Sequence, residues 1–133
     1  MNTEQMNQYL ESIGGLENGY YIDKQPITGS EFFECDEGWY GLIKELIEDL
    51  IKLGWNKQVC QVKEKFGGLR FYINEGSDVI HKRIRKAEDD SYKTCEITGK
   101  HGELRTDIGW YTTLCEEEYE KRKKEYEDKK KSY

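Results

Sequence analysis

Between Asp36 and Leu53 the residues Trp39, Leu42, Ile43, Leu46, Ile47, Leu50 and Ile51 recur at steps of three and four, and Lys44, Glu45, Glu48, Asp49 and Lys52 fill the gaps. That spacing places the apolar side chains on one stripe of a helix and the charges on the other. Gly54 stands where a helix ends in a left-handed residue, and Asp36 and Glu37 place negative charge at the N-terminal end. A helix with one apolar face needs a second layer to cover it, so the rest of the chain must supply one.

The covering layer follows directly. After Trp55 the period changes to two: Val59, Gln61, Lys63 and Lys65 alternate with Cys60, Val62 and Glu64, Gly67-Gly68 interrupts, and Leu69, Phe71 and Ile73 alternate with Arg70 and Tyr72. Two strands joined as a hairpin are expected, with the paired glycines forming the bend. Asn74 to Gly76 makes a turn, and Ser77 caps a second helix whose buried stripe is Ile80, Ile84, Ala87 and Tyr92. The fold class predicted is α+β, with two amphipathic helices on a small antiparallel sheet, a Cys-flanked hairpin and a charged C-terminal helix.

The flanks are read in the same way. Thr3 to Ile13 forms a short helix with Thr3 as its N-cap and Met6, Tyr9, Leu10 and Ile13 at helical spacing, and Gly14-Gly15 stops it. Leu16 to Phe33, punctuated by Gly19, Pro26 and Gly29 around Tyr20, Tyr21, Ile22 and Ile27, reads as a loop-like lead-in. Cys95 to Cys115 reads as a small hairpin with extended pieces at Glu103–Arg105 and Trp110–Leu114. Residues 116–131 are almost entirely charged, with Tyr119 and Tyr126 seven apart to touch the body along one stripe. The expectation is one domain over residues 1–133: an N-terminal helix and lead-in (1–32), a helix-hairpin-helix core (33–94), the Cys-flanked hairpin (95–115) and the terminal helix (116–133).

Composition bounds the function. With 36% charged residues the chain would resemble a disordered segment, but aromatics make up 13% of it, including 3 Trp and 10 Tyr, enough to build a core. Trp39, Trp55 and Trp110 are expected in that core, and Tyr72 and Tyr111 outside it. No apolar run approaches the length of a membrane helix and the start lacks a secretory pattern, so the expectation is a cytoplasmic protein without membrane contact. The net charge of -6 argues against a nucleic-acid coat. It is unevenly spread: residues 60–86 carry 7 Lys and Arg against 3 Asp and Glu, whereas residues 1–59 carry 4 against 11.

The basic stretch supplies the predicted site. Alternation sets Lys63 with Lys65 and Arg70 with Tyr72, and Gly67 and Gly68 let backbone approach a ligand. Cations beside exposed N–H groups and a Tyr ring suit an anion of nucleotide type. A solvated hairpin face explains the same residues. Lys82, Arg83, Arg85 and Lys86 on the next helix extend the positive surface or form a solvated face. No GxxxxGK[ST], HExxH or GxSxG motif is present, and His81 lacks a nucleophile at recognisable spacing, so no enzyme and no cofactor are predicted.

Cys35-Asp36-Glu37-Gly38-Trp39, the run Gln61-Val62-Lys63-Glu64-Lys65-Phe66-Gly67-Gly68-Leu69-Arg70-Phe71-Tyr72, Cys95-Glu96 with Gly99 and Gly102, Gly109-Trp110, and Thr113-Leu114-Cys115 together resemble a family of small proteins common in phages and prophages. The resemblance spans residues 33 to 118, and KEKFGGLRFY is its most specific part. It implies a late unit like a zinc knuckle, with a CxxC pair followed by a Cys-x-x-His or Cys-x-x-Cys pair. Here Thr98 and Glu118 occupy the second position of each pair. A site from Cys95, Cys115, His101 and Glu118 is conceivable within one small unit, but Cys35, Cys60, Cys95 and Cys115 show no CxxC spacing and Glu is a rare structural zinc ligand. No metal is predicted, and reduced cysteines packed as small apolar groups are the simpler reading.

The function implied is that of a non-enzymatic phage-type accessory protein that binds a component of its host and counters a host defence. Two other readings stand beside it. One is a sponge for a nucleotide or nucleotide-derived signal at Lys63, Lys65, Gly67, Gly68, Arg70 and Tyr72. The other is a nucleic-acid-binding knuckle that has lost its metal.

Overall fold

The computed structural model describes residues 1–20 and 25–131. Helix α1 (Thr3–Ser12) starts from Asn2, whose side chain accepts from the Gln5 N–H while the Gln5 side chain accepts from the Asn2 N–H. The expected cap was Thr3; the reciprocal bonding of a capping box selects Asn2 instead. After a 3₁₀ turn at Glu37–Trp39, helix α2 (Tyr40–Lys52) buries Tyr40, Ile43, Leu46, Ile47 and Leu50. Ile51, predicted on the stripe, is on its exposed margin. Helix α2 ends as expected: Gly54 has φ +90°, its N–H donates to Ile51 O, and the Trp55 N–H donates to Leu50 O.

The lead-in is more ordered than its composition suggested. Strand β1 (Glu17–Asn18) runs parallel to β3 (Gln58–Val59), and β2 (Phe33–Glu34) runs parallel to β4 (Gln61–Lys65). Strand β4 pairs antiparallel with β5 (Gly68–Tyr72), giving a three-stranded sheet of order β2-β4-β5. The antiparallel hairpin is therefore present, and the lead-in adds a parallel edge that two-residue strands cannot announce by periodicity. Tyr21 and Ile22 lie outside the described residues. The even alternation expected from Val59 onward also breaks, because Val59 and Val62 are both fully buried and Cys60 forms the step between β3 and β4.

Helix α3 (Asp78–Ser91) is capped by Ser77, whose hydroxyl accepts from the Ile80 N–H, and buries Ile80, Ile84, Ala87 and Ser91. Tyr92, predicted on the stripe, instead packs on the sheet at Gly68, where an added methyl would lie 2.3 Å from its ring. The free edge of β5 is closed by α3: the Leu69 N–H donates to Ser91 Oγ and the Phe71 N–H to Glu88 Oε2. Side chains one helical turn apart thus satisfy an edge that would otherwise invite pairing with another chain.

A second small core is formed by Cys95, Ile108, Leu114 and Cys115 with Ile97, Tyr119 and Tyr126 against it. It belongs to the hairpin β6 (Glu103–Arg105) with β7 (Thr112–Leu114) and to helix α4 (Glu116–Lys131), on which the two tyrosines lie as expected. Arg105 ties these parts together, donating to Leu114 O, reaching Glu116 at 3.4 Å and stacking 4.2 Å from the Tyr119 ring centroid. Of the three tryptophans, Trp39 and Trp55 are buried, but Trp110 is 54% exposed. Ile108 fills the place in the small core, and the turn at Gly109, with φ +99°, carries Trp110 outward. Trp39 donates to Thr94 O, whereas the buried Trp55 Nε1 has no partner among the described residues.

Candidate functional site

The register of the β4–β5 hairpin sets Gln61 opposite Tyr72, Lys63 opposite Arg70 and Lys65 opposite Gly68. Directly opposed residues share a face. Lys63, Lys65, Gly68, Arg70 and Tyr72 therefore lie together on the face turned away from Val62, Leu69 and Phe71, which are buried. Glu34 of β2 sits beside Lys63 on this face and accepts from the Gln61 amide. Arg70 is tethered, with Nη2 donating to the Tyr92 hydroxyl at 3.0 Å and Nη1 to Leu69 O at 2.9 Å. The bond to Tyr92 is the main reason its guanidinium is held in the charged form.

Gly67 stands in the hairpin bend as expected, whereas Gly68 does not. The two-residue bend is Phe66-Gly67, with φ +53° and +87°, and Gly68 is already the first residue of β5. Both angles are positive, as the tight turns that suit a right-twisted hairpin require. Neither glycine offers open backbone: both are buried, the Gly67 N–H donates to Glu64 Oε2 at 2.7 Å, and Gly67 O accepts from the Thr113 hydroxyl at 2.6 Å. An added methyl on Gly67 would lie 2.5 Å from Leu104 Cδ1. The glycines serve close packing, and the phosphate cradle expected from their backbone is absent.

The unit from Cys95 to Cys115 brings both of its cysteines to one threonine. The Thr98 N–H points at Cys95 Sγ at 3.4 Å, and the Thr98 hydroxyl donates to Cys115 Sγ at 3.6 Å. Burial would raise the Cys95 thiol, but the Thr98 hydroxyl and the N–H groups of Cys115, Thr98 and Ile97 hold it below its ordinary value. Glu118 pairs with Lys121, and His101 is exposed in a bridge to Thr94. Among the described residues no group of three or more His, Cys, Asp or Glu side chains is placed to hold a metal ion. Cys95, Cys115, His101 and Glu118 are thus not brought together as a ligand set. All four cysteines are free thiols.

Two features escaped sequence reasoning. The first is the joint between the two cores. Gly38 lies against the Cys95–Glu96 backbone, where a methyl would meet Cys95 O and Glu96 O at 2.3 Å, and its N–H donates to Glu96 O. The Asp36 N–H donates to the Glu96 carboxylate at 3.0 Å. Burial, with Asp36 and Glu64 nearby, pushes the Glu96 carboxyl up to about 7 against the relief from that N–H and from Arg122. Burial likewise raises the neighbouring Cys35 thiol, with Glu96, Asp36 and Glu64 adding to it.

The second feature is an exposed apolar seam where the two hairpins meet. Phe66 is 66% exposed, Leu104 40% and Tyr111 51%, and all three surround the contact of Gly67 with Leu104 and Thr112. Trp110, the neighbour of Tyr111 in the chain, is also exposed, with Arg122 6.0 Å from its ring centroid, and Lys65 lies 5.7 Å from the Phe66 ring. Sequence alone gave a signal only in Tyr111, whose exposure was expected. The chain matches no protein-family model, no curated protein and no solved structure.

Proposed function

We propose that this chain is a non-enzymatic accessory protein that binds a protein of its host through the seam of Phe66, Leu104, Tyr111 and Trp110 and the adjoining Lys63 and Lys65. The observation that carries this reading is the concentration of large exposed apolar side chains at the junction of two hairpins, since contiguous patches of that kind rimmed by charge mark interaction sites. Burial keeps the Cys35 thiol protonated, and Cys95, whose thiol is held low, is fully buried and so closed to a substrate. The phage-type signature supports a partner in the cytoplasm of a host cell and a role in countering a host defence.

The nucleotide reading keeps one supporting observation, the shared face of Lys63, Lys65, Arg70 and Tyr72. It loses the open backbone at Gly67 and Gly68.

The test is affinity capture from bacterial lysate with wild type and with Phe66→Ser/Tyr111→Ser, followed by titration of the purified captured protein. Capture by wild type with at least ten-fold weaker binding by the variant is expected. Equal binding by the two would remove the seam. Calorimetric titration with mono-, di- and cyclic nucleotides tests the alternative: binding by wild type that Arg70→Ala weakens one to two orders of magnitude would favour it.

A further inference from the structure

Away from both hairpins, α2 and α3 leave a groove between them. At one end it is a cleft of about 280 Å³ formed by Leu53, Val79, Lys82, Arg83 and Lys86. Arg83 and Lys86 also wall a second, mixed-charge cleft of about 350 Å³ that extends to Glu45, Asp90 and Lys93. From Val79 to Asp90 the groove follows α3 for about 16 Å at the helical rise. That length accommodates about five residues of extended chain.

The first cleft is apolar on its floor and cationic at its rim. Leu53 is 42% exposed and Val79 57%, so two aliphatic side chains stand open to solvent beside each other. Around them are three cations in a chain of net charge -6. Arg83 is held by Asp49 at 2.8 Å and Lys86 by Asp90 at 2.9 Å. Lys82 pairs with no carboxylate among the described residues. Arg83 Nη1 is buried and has no hydrogen-bond partner there, so the guanidinium keeps an unmet donor. That nitrogen lies beneath the surface, so Arg83 ties α3 to Asp49 of α2 and leaves the groove's outer cations, Lys82 and Lys86, to face a ligand.

From these observations we infer that the α2–α3 groove docks an acidic peptide segment of another protein, with one bulky apolar residue seated on Leu53 and Val79 and its carboxylates on Lys82 and Lys86. The cleft has the volume of a single anchor side chain and sits below the range of most small-molecule sites. Among the described residues Lys82 is unpaired, and the exposed Lys86–Asp90 pair is weak enough to exchange partners, so both complement carboxylates beside that anchor. The site is independent of the seam, because none of its residues belongs to either hairpin.

The experiment selects a displayed library of random dodecapeptides on the immobilised full chain and measures a synthesised winner by fluorescence anisotropy. Enriched peptides are expected to share one Leu, Ile, Phe or Trp flanked by Asp or Glu. Lys82→Glu/Lys86→Glu and, separately, Val79→Asp should weaken the winner at least ten-fold at unchanged melting temperature, while Phe66→Ser binds it unchanged. All three altered positions of the groove variants are exposed, so folding should survive. The inference is overturned if no peptide enriches, if winners lack acidic residues, or if the groove variants bind as wild type. Concentration-dependent self-association abolished by Val79→Asp would assign the groove to a second copy. Binding to vesicles containing phosphatidylserine, abolished by the charge reversal, would assign it to a membrane. Loss with Phe66→Ser alone would return the peptide to the seam.

Discussion

Replacing Glu96 with Gln should stabilise the protein at pH 8 and leave it nearly unchanged below about pH 4. Glu96 is almost fully buried at the joint between the two cores, and its carboxyl is pushed up to about 7 by burial, Asp36 and Glu64. In the unfolded chain the same group titrates near its ordinary 4.5. Between those values the native state binds the proton more strongly than the unfolded state. Its contribution to stability is therefore greatest below about 4.5 and is lost as pH rises through about 7, beyond which the charged carboxylate opposes folding. The separation corresponds to roughly 3 kcal/mol at full expression, of which about 2 is expected after local relaxation.

Glutamine removes the charge and keeps an oxygen to accept the Asp36 N–H. At about 2 kcal/mol the variant should melt roughly 5 to 10 °C higher at pH 8. The assay is urea unfolding followed by circular dichroism at half-unit intervals from pH 4 to 8, reported as variant minus wild type so that titrating groups not coupled to Glu96 cancel. A difference that is flat with pH, or a variant less stable than wild type at pH 8, would refute the account of Glu96.

Leu46→Ala, at a fully buried position of α2, should cost about 2 to 5 kcal/mol in urea unfolding, whereas Lys44→Ala, which loses only an exposed pair to Glu48 and contact with the Tyr9 ring, should stay within about 0.5. Gly38→Ala should cost more than about 2 kcal/mol by the same assay, because the added methyl meets backbone oxygens that no side-chain rotation moves. The wild-type protein should contain no stoichiometric zinc by elemental analysis. Thr98→Cys, which adds a third thiol beside Cys95 and Cys115, should bind zinc more tightly than wild type by competition with a chelating dye, since Thr98 already reaches both sulfurs.

The sequence was legible where one element explains its own pattern. The three-and-four spacing from Trp39, the alternation of Lys63 to Lys65 and Leu69 to Phe71, and the caps at Ser77 and Gly54 each depend on residues within one turn or one strand. What could not be read depended on partners distant in sequence. The pairs Phe33 with Val62 and Glu17 with Gln58 involve strands of two residues, too short for any period to register. Gly67-Gly68 showed the bend within one residue, but nothing local says that Leu104, Thr112 and Tyr92 close over both glycines. Trp110 reads as core by size alone, and only the competition with Ile108 for a four-residue core decides against it.

That dependence on distant partners explains what residues 35–39 and 61–72 do. Gly38 fits the Cys95–Glu96 backbone, the Trp39 indole donates to Thr94 O, Gly67 O receives the Thr113 hydroxyl, and Gly68 receives the Tyr92 ring. Each of these contacts links the helix-and-sheet core to the region from Tyr92 onward, so a motif that reads in sequence as a ligand loop is in space the joint between two cores. The groups with the strongest constraints are thereby occupied with one another. The surfaces left available for binding are made of residues with few internal duties: Phe66 and Tyr111 on the seam, Val79 and Lys82 in the groove. Substitutions at the joint should therefore act through stability, as Gly38→Ala and Glu96→Gln do in opposite directions, whereas substitutions at the seam and groove should change binding at constant stability. A variant such as Phe66→Ser that unfolded the chain while leaving its partner's affinity intact would reverse this division.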